Sequence, residues 1–300
     1  MSVDTIVRLR TFAKINLFLR VIGLRRDGFH EVETILHGID LFDEIDIEPA
    51  TDGVNVTMEL VEGITGTLPP SGENLIDRAA RALVEGLGST HGAVVHVKKG
   101  IPIGAGLGGG SGNAAGALVT LAEMWDLDLA RDKLVALAGQ LGADVPYCID
   151  GGTALATGRG EQLTPLANIK PMWFVLGGSS QPLLTREVYG SWDSTRPPQD
   201  ESGAALLTLA LGAGDAAEVA ALLHNDLERP AFSLRPELED KKQALVDAGA
   251  LGASMSGSGP TLYGLVENEG SARALARKVE GTFDWVRVVT SQARCIVKVD

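Results

Sequence analysis

A glycine-rich segment at residues 102–113 carries the strongest chemical signal in this sequence of 300 residues. The segment reads Pro102-Ile103-Gly104-Ala105-Gly106-Leu107-Gly108-Gly109-Gly110-Ser111-Gly112-Asn113, and it lies between a strand pattern and a helical pattern. Glycine lets the backbone turn tightly and bring successive N–H groups to one anion, and the first turn of a helix supplies more unpaired N–H groups. Residues Pro102–Gly112 are therefore predicted to form a phosphate-binding loop, in which the Ser111 hydroxyl is a candidate ligand for a phosphate oxygen or a Mg²⁺ ion. A flexible turn is the alternative interpretation.

The letters of this loop also match a second kind of nucleotide site. Gly104, Gly106 and Gly109 have the spacing of a dinucleotide-binding fingerprint. That fingerprint needs a buried strand before it and an acidic residue at the end of a parallel strand about 20 residues later. Here the preceding strand carries Lys98 and Lys99, and no such acidic strand end clearly follows. A Rossmann oxidoreductase is therefore the less favoured alternative, and the sequence contains no Walker A motif.

Charge and composition narrow the class of protein. Lys and Arg total 26 against 39 Asp and Glu, a net charge of −13, so we expect neither a nucleic-acid partner nor an anionic membrane partner. Cys148 and Cys295 stand far apart in the sequence, which argues against a disulfide framework or a structural zinc site. We find no secretory leader pattern and no apolar run of about 18 residues, so we expect a cytoplasmic protein. Monomer and homodimer both stay open.

Periodicity predicts the elements that position the loop. Residues 12–19 alternate as a strand, with Phe12, Lys14, Asn16 and Phe18 on one face and Ala13, Ile15, Leu17 and Leu19 on the other. Further strands are predicted near 33–47, 54–60, 93–98, 172–176, 261–266, 286–290 and 295–299, and helices near 74–87, 114–125, 132–141, 186–192, 203–211, 215–224, 237–248 and 270–279. This mixture without strict βαβ alternation favours an α+β fold. The length favours two domains, residues 1–160 and 161–300.

The glycine loop resembles the phosphate-binding motif of the GHMP kinases, named for galactokinase, homoserine kinase, mevalonate kinase and phosphomevalonate kinase. Segments 13–19 and 255–260 also resemble GHMP kinase sequences. Together with segments 27–30 and 142–146, they resemble one branch of that family more specifically. The narrower resemblance is to a branch that uses ATP to phosphorylate the 2-hydroxyl of a cytidine-diphosphate-linked methylerythritol in the non-mevalonate route to isoprenoid precursors. It covers nearly the whole chain. It implies an N-terminal ATP-binding domain like domain 2 of ribosomal protein S5, a ferredoxin-like C-terminal domain, and an active site in the cleft between them.

The resemblance also implies a catalytic pair, Lys14 and Asp144. Phosphoryl transfer to an alcohol needs a group that accepts the hydroxyl proton and a positive charge near the transferred phosphoryl group. Asp144 suits the first task, while Lys14 can keep that carboxylate ionised and balance developing negative charge. The alternatives are a helix N-cap for Asp144 and a solvent-facing position for Lys14. Asn16 shares the face of Lys14, so it is expected to support the site or to contact substrate.

The same resemblance implies residues for the two substrates. Besides the loop, Lys99 and Asn74 are candidates near the adenine of ATP, although Asn74 could simply cap a helix and Lys99 could be solvated. The cytidine base of the acceptor is expected between aromatic side chains, with Phe29, His30, Thr185 and Tyr189 as candidates. ATP and Mg²⁺ are the implied cofactors, with Ser111 the candidate metal contact.

Four positions depart from the family pattern. Phe29 stands where tyrosine is common, and Gly112 replaces a second serine of the loop. Asn113 stands where aspartate is frequent, so a carboxylate that could approach Mg²⁺ is missing, and Leu184 stands where serine is frequent. None of these changes touches Lys14 or Asp144. Two alternatives to the implied function stay open: another small-molecule GHMP kinase, or a nucleotide-binding protein of that fold that has lost turnover.

Overall fold

A computed structural model describes residues 6–64, 66–70, 72–87, 91–195 and 203–299 of the chain. The strands are β1 (Val7–Leu24), β2 (His30–Ala50), β3 (Val54–Leu60), β4 (Gly92–Lys99), β5 (Thr153–Thr157), β6 (Gln162–Pro165), β7 (Trp173–Gly178), β8 (His224–Asn225), β9 (Gly252–Met255), β10 (Leu262–Val266), β11 (Trp285–Thr290) and β12 (Ile296–Val299). The helices are α1 (Leu75–Leu87), α2 (Gly109–Met124), α3 (Arg131–Leu141), α4 (Val145–Asp150), α5 (Thr185–Thr195), α6 (Gly203–Ala213), α7 (Ala216–Ala221), α8 (Glu228–Leu234), α9 (Glu237–Asp247) and α10 (Glu269–Val279).

The first sheet is built around two long strands. Its main order is β12-β1-β2-β4-β3, with β5 paired to β2, β6 paired to β5, and β8 paired to β1. Helices α1 to α4 cover it through an apolar cluster in which Leu83 of α1 and Leu118 of α2 pack with Ile45 and Val95 of the strands. Helix α2 begins at Gly109, inside the segment predicted as a loop and earlier than the helix start predicted near residue 114, so this packing fixes the loop against the sheet.

The second sheet has four antiparallel strands in the order β11-β7-β10-β9. Along the chain, β7 is followed by helices, then by β9, β10, α10 and β11. This order is the split βαβ arrangement of a ferredoxin-like domain. Leu245 of α9 and Leu275 of α10 pack with Leu262 of β10 in one apolar cluster.

A third apolar cluster joins the two sheets. Ile15 of β1 is fully buried there with Phe174 of β7 and Tyr263 of β10. The Tyr263 hydroxyl donates a hydrogen bond of 2.7 Å to the backbone oxygen of Asn16. Strand β1 therefore lies where both halves of the molecule meet, and its polar side chains open towards the space between them.

Two of the predicted elements need correction. The alternation of residues 12–19 is interrupted by a bulge, because Asn16 pairs with Leu36 while Phe18 pairs with Ile35. Leu17 and Phe18 consequently both enter the cluster between the sheets, so the prediction that Phe18 shares the face of Lys14 is wrong. The helix predicted over 215–224 ends at Ala221, and β8 follows it beside β1.

The last described strand lies in the first sheet. Strand β12 pairs antiparallel with β1, so the last described residues lie with the N-terminal half. The division into residues 1–160 and 161–300 stays a prediction. Among the described residues, none of the helices has both the length and the apolar character that crossing a membrane requires.

Candidate active site

The glycine loop connects the end of β4 to the start of α2 in a conformation that requires glycine. Gly104, Gly106 and Gly108 have φ angles of 68°, 76° and 73°, the left-handed region that L side chains disfavour. A Cβ atom on Gly106 would also collide with the backbone oxygen of Ser256. The Ser256 hydroxyl donates a 2.9 Å hydrogen bond to the backbone oxygen of Gly106. The loop is therefore held from the C-terminal half as well as from its own helix.

Two cavities meet at this loop. The smaller has a volume of about 340 Å³ and lies between the loop and the start of α1. The larger has a volume of about 760 Å³ and is lined by residues of both halves, among them Lys14, Asp144, Thr185 and Gly257. The two cavities share Gly106, Gly108 and Ser111 as lining residues. A phosphate group bound to the loop would therefore have a cavity on each side of it, and each cavity could hold one of two ligands.

Lys14 and Asp144 face one another in the larger cavity. The Lys14 Nζ atom lies 3.4 Å from the Asp144 Oδ2 atom, and the side chains are 4% and 35% exposed. The backbone N–H of Lys14 donates to the Leu107 backbone oxygen at 3.0 Å, which ties β1 to the loop. Asp144 precedes α4, but its side chain makes no capping hydrogen bond. Lys14 is thus not solvent-facing, and the Asp144 carboxylate is free of the N-cap role.

Asn16 continues this polar row. Its Oδ1 atom accepts a 2.8 Å hydrogen bond from Lys14 Nζ, and its Nδ2 atom donates to the Thr34 hydroxyl at 2.8 Å. The Thr34 hydroxyl in turn donates to the backbone oxygen of Phe18. Asn16 is therefore locked with its oxygen towards the lysine, which holds the ammonium group beside Asp144.

A second loop, residues 256–260, closes the larger cavity from the C-terminal half. The Thr185 and Ser258 hydroxyls lie 3.0 Å apart. Asn225 Nδ2 donates to the backbone oxygens of Met255 and Gly257 at 2.7 and 2.8 Å. The segment around Asn225 therefore supports this loop from behind.

The far end of the larger cavity carries the predicted aromatic residues. Phe29 is 54% exposed, and the Arg159 guanidinium carbon lies 4.9 Å from the centre of its ring. The rings of His30 and Tyr189 lie 4.6 Å apart with an interplanar angle of 32°. His30 Nε2 also lies 3.0 Å from Asp193 Oδ1. His30 and Tyr189 thus stack on each other, while about half of Phe29 is exposed to solvent.

Comparison with known proteins places this geometry in a family. The family models for the GHMP kinases N terminal domain and the GHMP kinases C terminal match residues 74–152 and 207–284. Proteins named 4-diphosphocytidyl-2-C-methyl-D-erythritol kinase from Pelotomaculum thermopropionicum and Nocardioides sp. are 43% and 41% identical to this chain. Their matches cover 92% and 91% of this chain, and 94% and 93% of the relatives. The chain belongs to the 4-diphosphocytidyl-2-C-methyl-D-erythritol kinases of the GHMP kinase family.

Solved structures agree with this assignment. A crystal structure of 4-(cytidine 5'-diphospho)-2C-methyl-D-erythritol kinase superposes with a TM-score of 0.79 at 33% identity, over 95% of this chain and 98% of that one. A homoserine kinase from Cytophaga hutchinsonii shares the fold, with a TM-score of 0.74 at 21% identity over 100% of this chain and 99% of that one. The GHMP kinase resemblance and the α+β fold are confirmed, and the Rossmann alternative is wrong.

In the smaller cavity, two predicted side chains already make hydrogen bonds within the protein. Asn74 caps α1, since its Oδ1 atom accepts the backbone N–H of Asp77 at 2.9 Å and its Nδ2 atom donates to the Asp77 carboxylate. Lys99 is buried, and its Nζ atom contacts Asp43 Oδ2 and donates to Asn113 Oδ1 at 2.8 Å. The interpretation of Lys99 as a solvated residue is therefore wrong, although both predicted residues line the smaller cavity.

The kinase family implies a magnesium ion, which the residues present can accommodate. Within the described ranges, no group of three or more His, Cys, Asp or Glu side chains is arranged to hold a metal. Ser111 and Asp144 do line the same cavity beside the glycine loop. Magnesium in phosphoryl-transfer sites is commonly held by one or two carboxylates together with the phosphates themselves. This sparse donor set fits that mode of binding.

Several residues of the site were not predicted from the sequence. Asp43 lies under the loop, while Arg159, Asp193 and Ser258 line the larger cavity. Asp43 falls within a strand pattern rich in acidic residues, and nothing local marks it. Arg159 follows a glycine turn between β5 and β6, which is a surface signal in most sequences. Ser258 belongs to segment 255–260, which contributes to the family resemblance but contains no predicted site residue.

Proposed function

We propose that this protein transfers the γ-phosphoryl group of ATP to the 2-hydroxyl of 4-diphosphocytidyl-2-C-methyl-D-erythritol, a step of the non-mevalonate route to isoprenoid precursors. Relatives bearing that kinase name are 43% and 41% identical across more than nine-tenths of the chain. The observation that carries the proposal is the Lys14–Asp144 pair at 3.4 Å, at the point where two cavities meet on the glycine loop.

We assign the proton transfer to Asp144. As the substrate hydroxyl oxygen attacks the γ-phosphorus, its proton passes to the Asp144 carboxylate, and the bond to the β-phosphate oxygen breaks to release ADP. Lys14 lies 3.4 Å from Asp144 and would balance the negative charge that develops on the transferred phosphoryl group. The 35% exposure of Asp144 supports the assignment, because a base must be reachable by its substrate.

The smaller cavity is the proposed nucleotide space. Residues Pro102–Gly112 would hold the phosphates through backbone N–H groups and the first turn of α2. Asn74 and Lys99 would form walls of the adenine and ribose space, since their polar atoms are engaged in protein hydrogen bonds. Ser111 would contact a magnesium ion, which supplies charge neutralisation to the phosphates when bound.

The larger cavity is the proposed acceptor space. Asn16 and Thr185 would contact the polyol and diphosphate portion near the loop, because they line the cavity beside Lys14. Phe29 offers its exposed ring to one face of the cytosine, and the stacked pair of His30 and Tyr189 would form the adjoining wall. The domain division at residue 160 and a cytoplasmic location stay predictions, as does the choice between monomer and homodimer.

An acceptor panel tests the proposal. The purified protein is incubated with MgATP and, separately, with the cytidylated methylerythritol, mevalonate and homoserine, and ADP release is followed with a coupled assay. We expect turnover with the cytidylated substrate alone. Turnover with mevalonate or homoserine instead would indicate another GHMP kinase. ATP binding without turnover on any acceptor would indicate a nucleotide-binding protein that lacks catalysis.

A further inference from the structure

A second lysine–aspartate pair lies buried beneath the glycine loop. The Asp43 side chain of β2 is fully buried. Its Oδ1 atom accepts the backbone N–H groups of Gly100 and Ile101, each at 2.8 Å, where β4 ends. Its Oδ2 atom contacts Lys99 Nζ and accepts from Asn113 Nδ2 at 2.8 Å. One carboxylate therefore organises four donors immediately before and after the loop.

Asn113 closes this network from the loop side. Its Oδ1 atom accepts from Lys99 Nζ at 2.8 Å, and its Nδ2 atom donates to both Asp43 and the Thr11 hydroxyl, the latter also at 2.8 Å. The network thus ties together β1, β2, β4 and α2. Asn113 points into this buried cluster, where all three of these hydrogen bonds hold its amide in place.

The network lies directly under the phosphate-binding part of the loop. A Cβ atom built on Gly109, the first residue of α2, would lie 3.2 Å from Lys99 Nζ. Lys99 and Asn113 also line the smaller cavity. A buried ion pair contributes little net stability, whereas removal of one partner leaves an unpaired buried charge. Its best-supported benefit is the specification of one geometry, which is what a cradle of backbone N–H groups needs.

We propose that Asp43 is a positioning residue for the triphosphate of the nucleotide. By fixing where β4 ends and where α2 begins, Asp43 makes the loop N–H groups converge on one point. This inference rests on the proposed nucleotide site, but it does not depend on the identity of the acceptor. Asp43 touches neither substrate, so its effect passes entirely through the loop.

Substitution Asp43→Asn tests this proposal through nucleotide affinity. The amide keeps the shape of the side chain but presents an N–H₂ group where the loop N–H groups or Lys99 need an acceptor. We expect the Kd of ATP, measured by competition against a fluorescent nucleotide, to rise by about tenfold or more, and that of adenosine by less than about twofold. Equal weakening of ATP and adenosine would overturn the proposal, because it would indicate a general structural effect.

A double variant separates positioning from stability. Asp43→Asn alone leaves a buried ammonium group without its carboxylate, so its melting temperature should fall. Asp43→Asn/Lys99→Met removes that uncompensated charge, and we expect the melting temperature to recover while ATP binding stays weak. Recovery of both would contradict a positioning role for Asp43. Glu44→Gln, which alters the adjacent half-exposed carboxylate paired with Arg10, is the matched control and should leave both quantities unchanged.

Because no acceptor is present, this experiment is separate from the acceptor panel. A chain that phosphorylates a different alcohol would still show the dependence of ATP affinity on Asp43. A wild-type chain that binds no ATP would remove both proposals. Unchanged ATP affinity in Asp43→Asn would remove the positioning role and leave the proposed reaction intact.

Discussion

The glycine loop lies between two lysine–aspartate pairs of opposite character. A Cβ atom on Gly108 would lie 3.0 Å from the Lys14 side chain, and one on Gly109 would lie 3.2 Å from Lys99 Nζ. Consecutive loop residues therefore pack against the Lys14–Asp144 pair on one side and the Lys99–Asp43 pair on the other. A lysine and an aspartate thus lie on each of the two faces of this backbone turn.

The pairs differ in how many of their oxygen lone pairs are already used. Asp43 is fully buried and its two oxygens meet four donors. Asp144 is 35% exposed, faces a cavity and contacts one lysine at 3.4 Å, longer than a strong charge-assisted hydrogen bond. A carboxylate that accepts a substrate proton needs free lone pairs, whereas one that holds a backbone in place needs them filled. The comparison therefore predicts opposite kinetic signatures for the two aspartates.

The largest expected effect comes from Asp144→Asn. The amide cannot accept the hydroxyl proton, so we expect kcat to fall by about 10² to 10⁴ while the Kd of ATP changes by less than about twofold. Asp43→Asn should show the opposite pattern, in which the Kd of ATP rises more than kcat falls. Steady-state kinetics with the cytidylated acceptor, combined with nucleotide titration, measures both quantities.

Asp150→Asn is the control for this comparison. Asp150 ends the same helix, α4, and forms an exposed ion pair with Arg131. Its removal should leave kcat near the wild-type value, since exposed pairs contribute little. Near-normal turnover in Asp144→Asn would show that Asp144 is not the general base, and the predicted kinetic difference from Asp43 would then be wrong.

His37 is another buried polar residue, besides Asp43, whose side-chain polar atoms are all hydrogen-bonded within the protein. His37 lies between the Thr153 and Ser291 hydroxyls, each at 2.8 Å, and burial lowers its pKa to about 4. Below pH 6.5 the unfolded chain binds a proton that the native chain does not, so the free energy of unfolding should fall as pH drops. Between pH 6.5 and 4 the loss is about 3 kcal/mol, and stability is fully present above pH 6.5.

Urea unfolding across this pH range measures the effect. His37→Gln keeps polar contacts to both hydroxyls without the titration, so its unfolding free energy should depend less on pH by about the same amount. Its kcat at pH 7.5 should match the wild type, because His37 lies outside the two cavities at the loop. An identical pH dependence in both proteins would exclude His37 as the source.

The parts of the site that could be predicted from the sequence are those with local signatures. Glycine clustering between a strand and a helix indicates a phosphate loop, because the required backbone angles are properties of the residues themselves. Lys14 and Asp144 were reached through the family resemblance, and the structure brings them to 3.4 Å. Their roles stay predictions until they are tested.

The unpredicted parts depend on pairing between distant segments. Asp43 is 56 residues from Lys99 and 70 from Asn113 in sequence, so no spacing within a segment reveals the cluster. The same limit explains why the hydrogen bonds of Asn113 to Lys99, Asp43 and Thr11 were not predicted. The bulge between Asn16 and Phe18 depends on the partner strand β2, so the alternation of β1 alone gives the wrong face for Phe18.

A glycine substitution tests whether the backbone conformation of the loop between the two pairs determines ATP affinity. Gly108→Ala forces an L residue to φ 73° and pushes its methyl group against Lys14. We expect a loss of about 1 to 2 kcal/mol in the free energy of unfolding from the left-handed conformation. We also expect an ATP Kd that rises by about tenfold, because the N–H groups of the loop shift.

The matched control is Gly53→Ala in the turn between β2 and β3. Gly53 has a similar φ of 65°, and its Cβ atom would meet no atom within 4 Å. It should lose comparable stability while ATP affinity and kcat stay at the wild-type values. If both variants weakened ATP binding equally, the effect would follow global stability and not the loop.

The smallest expected effect concerns Arg159, at the far end of the larger cavity. Arg159 lies over the Phe29 ring and 3.6 Å from Glu161, with its side chain 28% exposed. The cation–π contact and the 3.6 Å ion pair are both weak, so Arg159→Met should raise the KM for the cytidylated acceptor by only about two- to fivefold and leave the ATP Kd unchanged. Arg273→Met, which breaks an exposed pair on α10, serves as the control. A large fall in kcat for Arg159→Met would contradict this prediction, because it would mean that Arg159 takes part in the phosphoryl transfer together with Lys14.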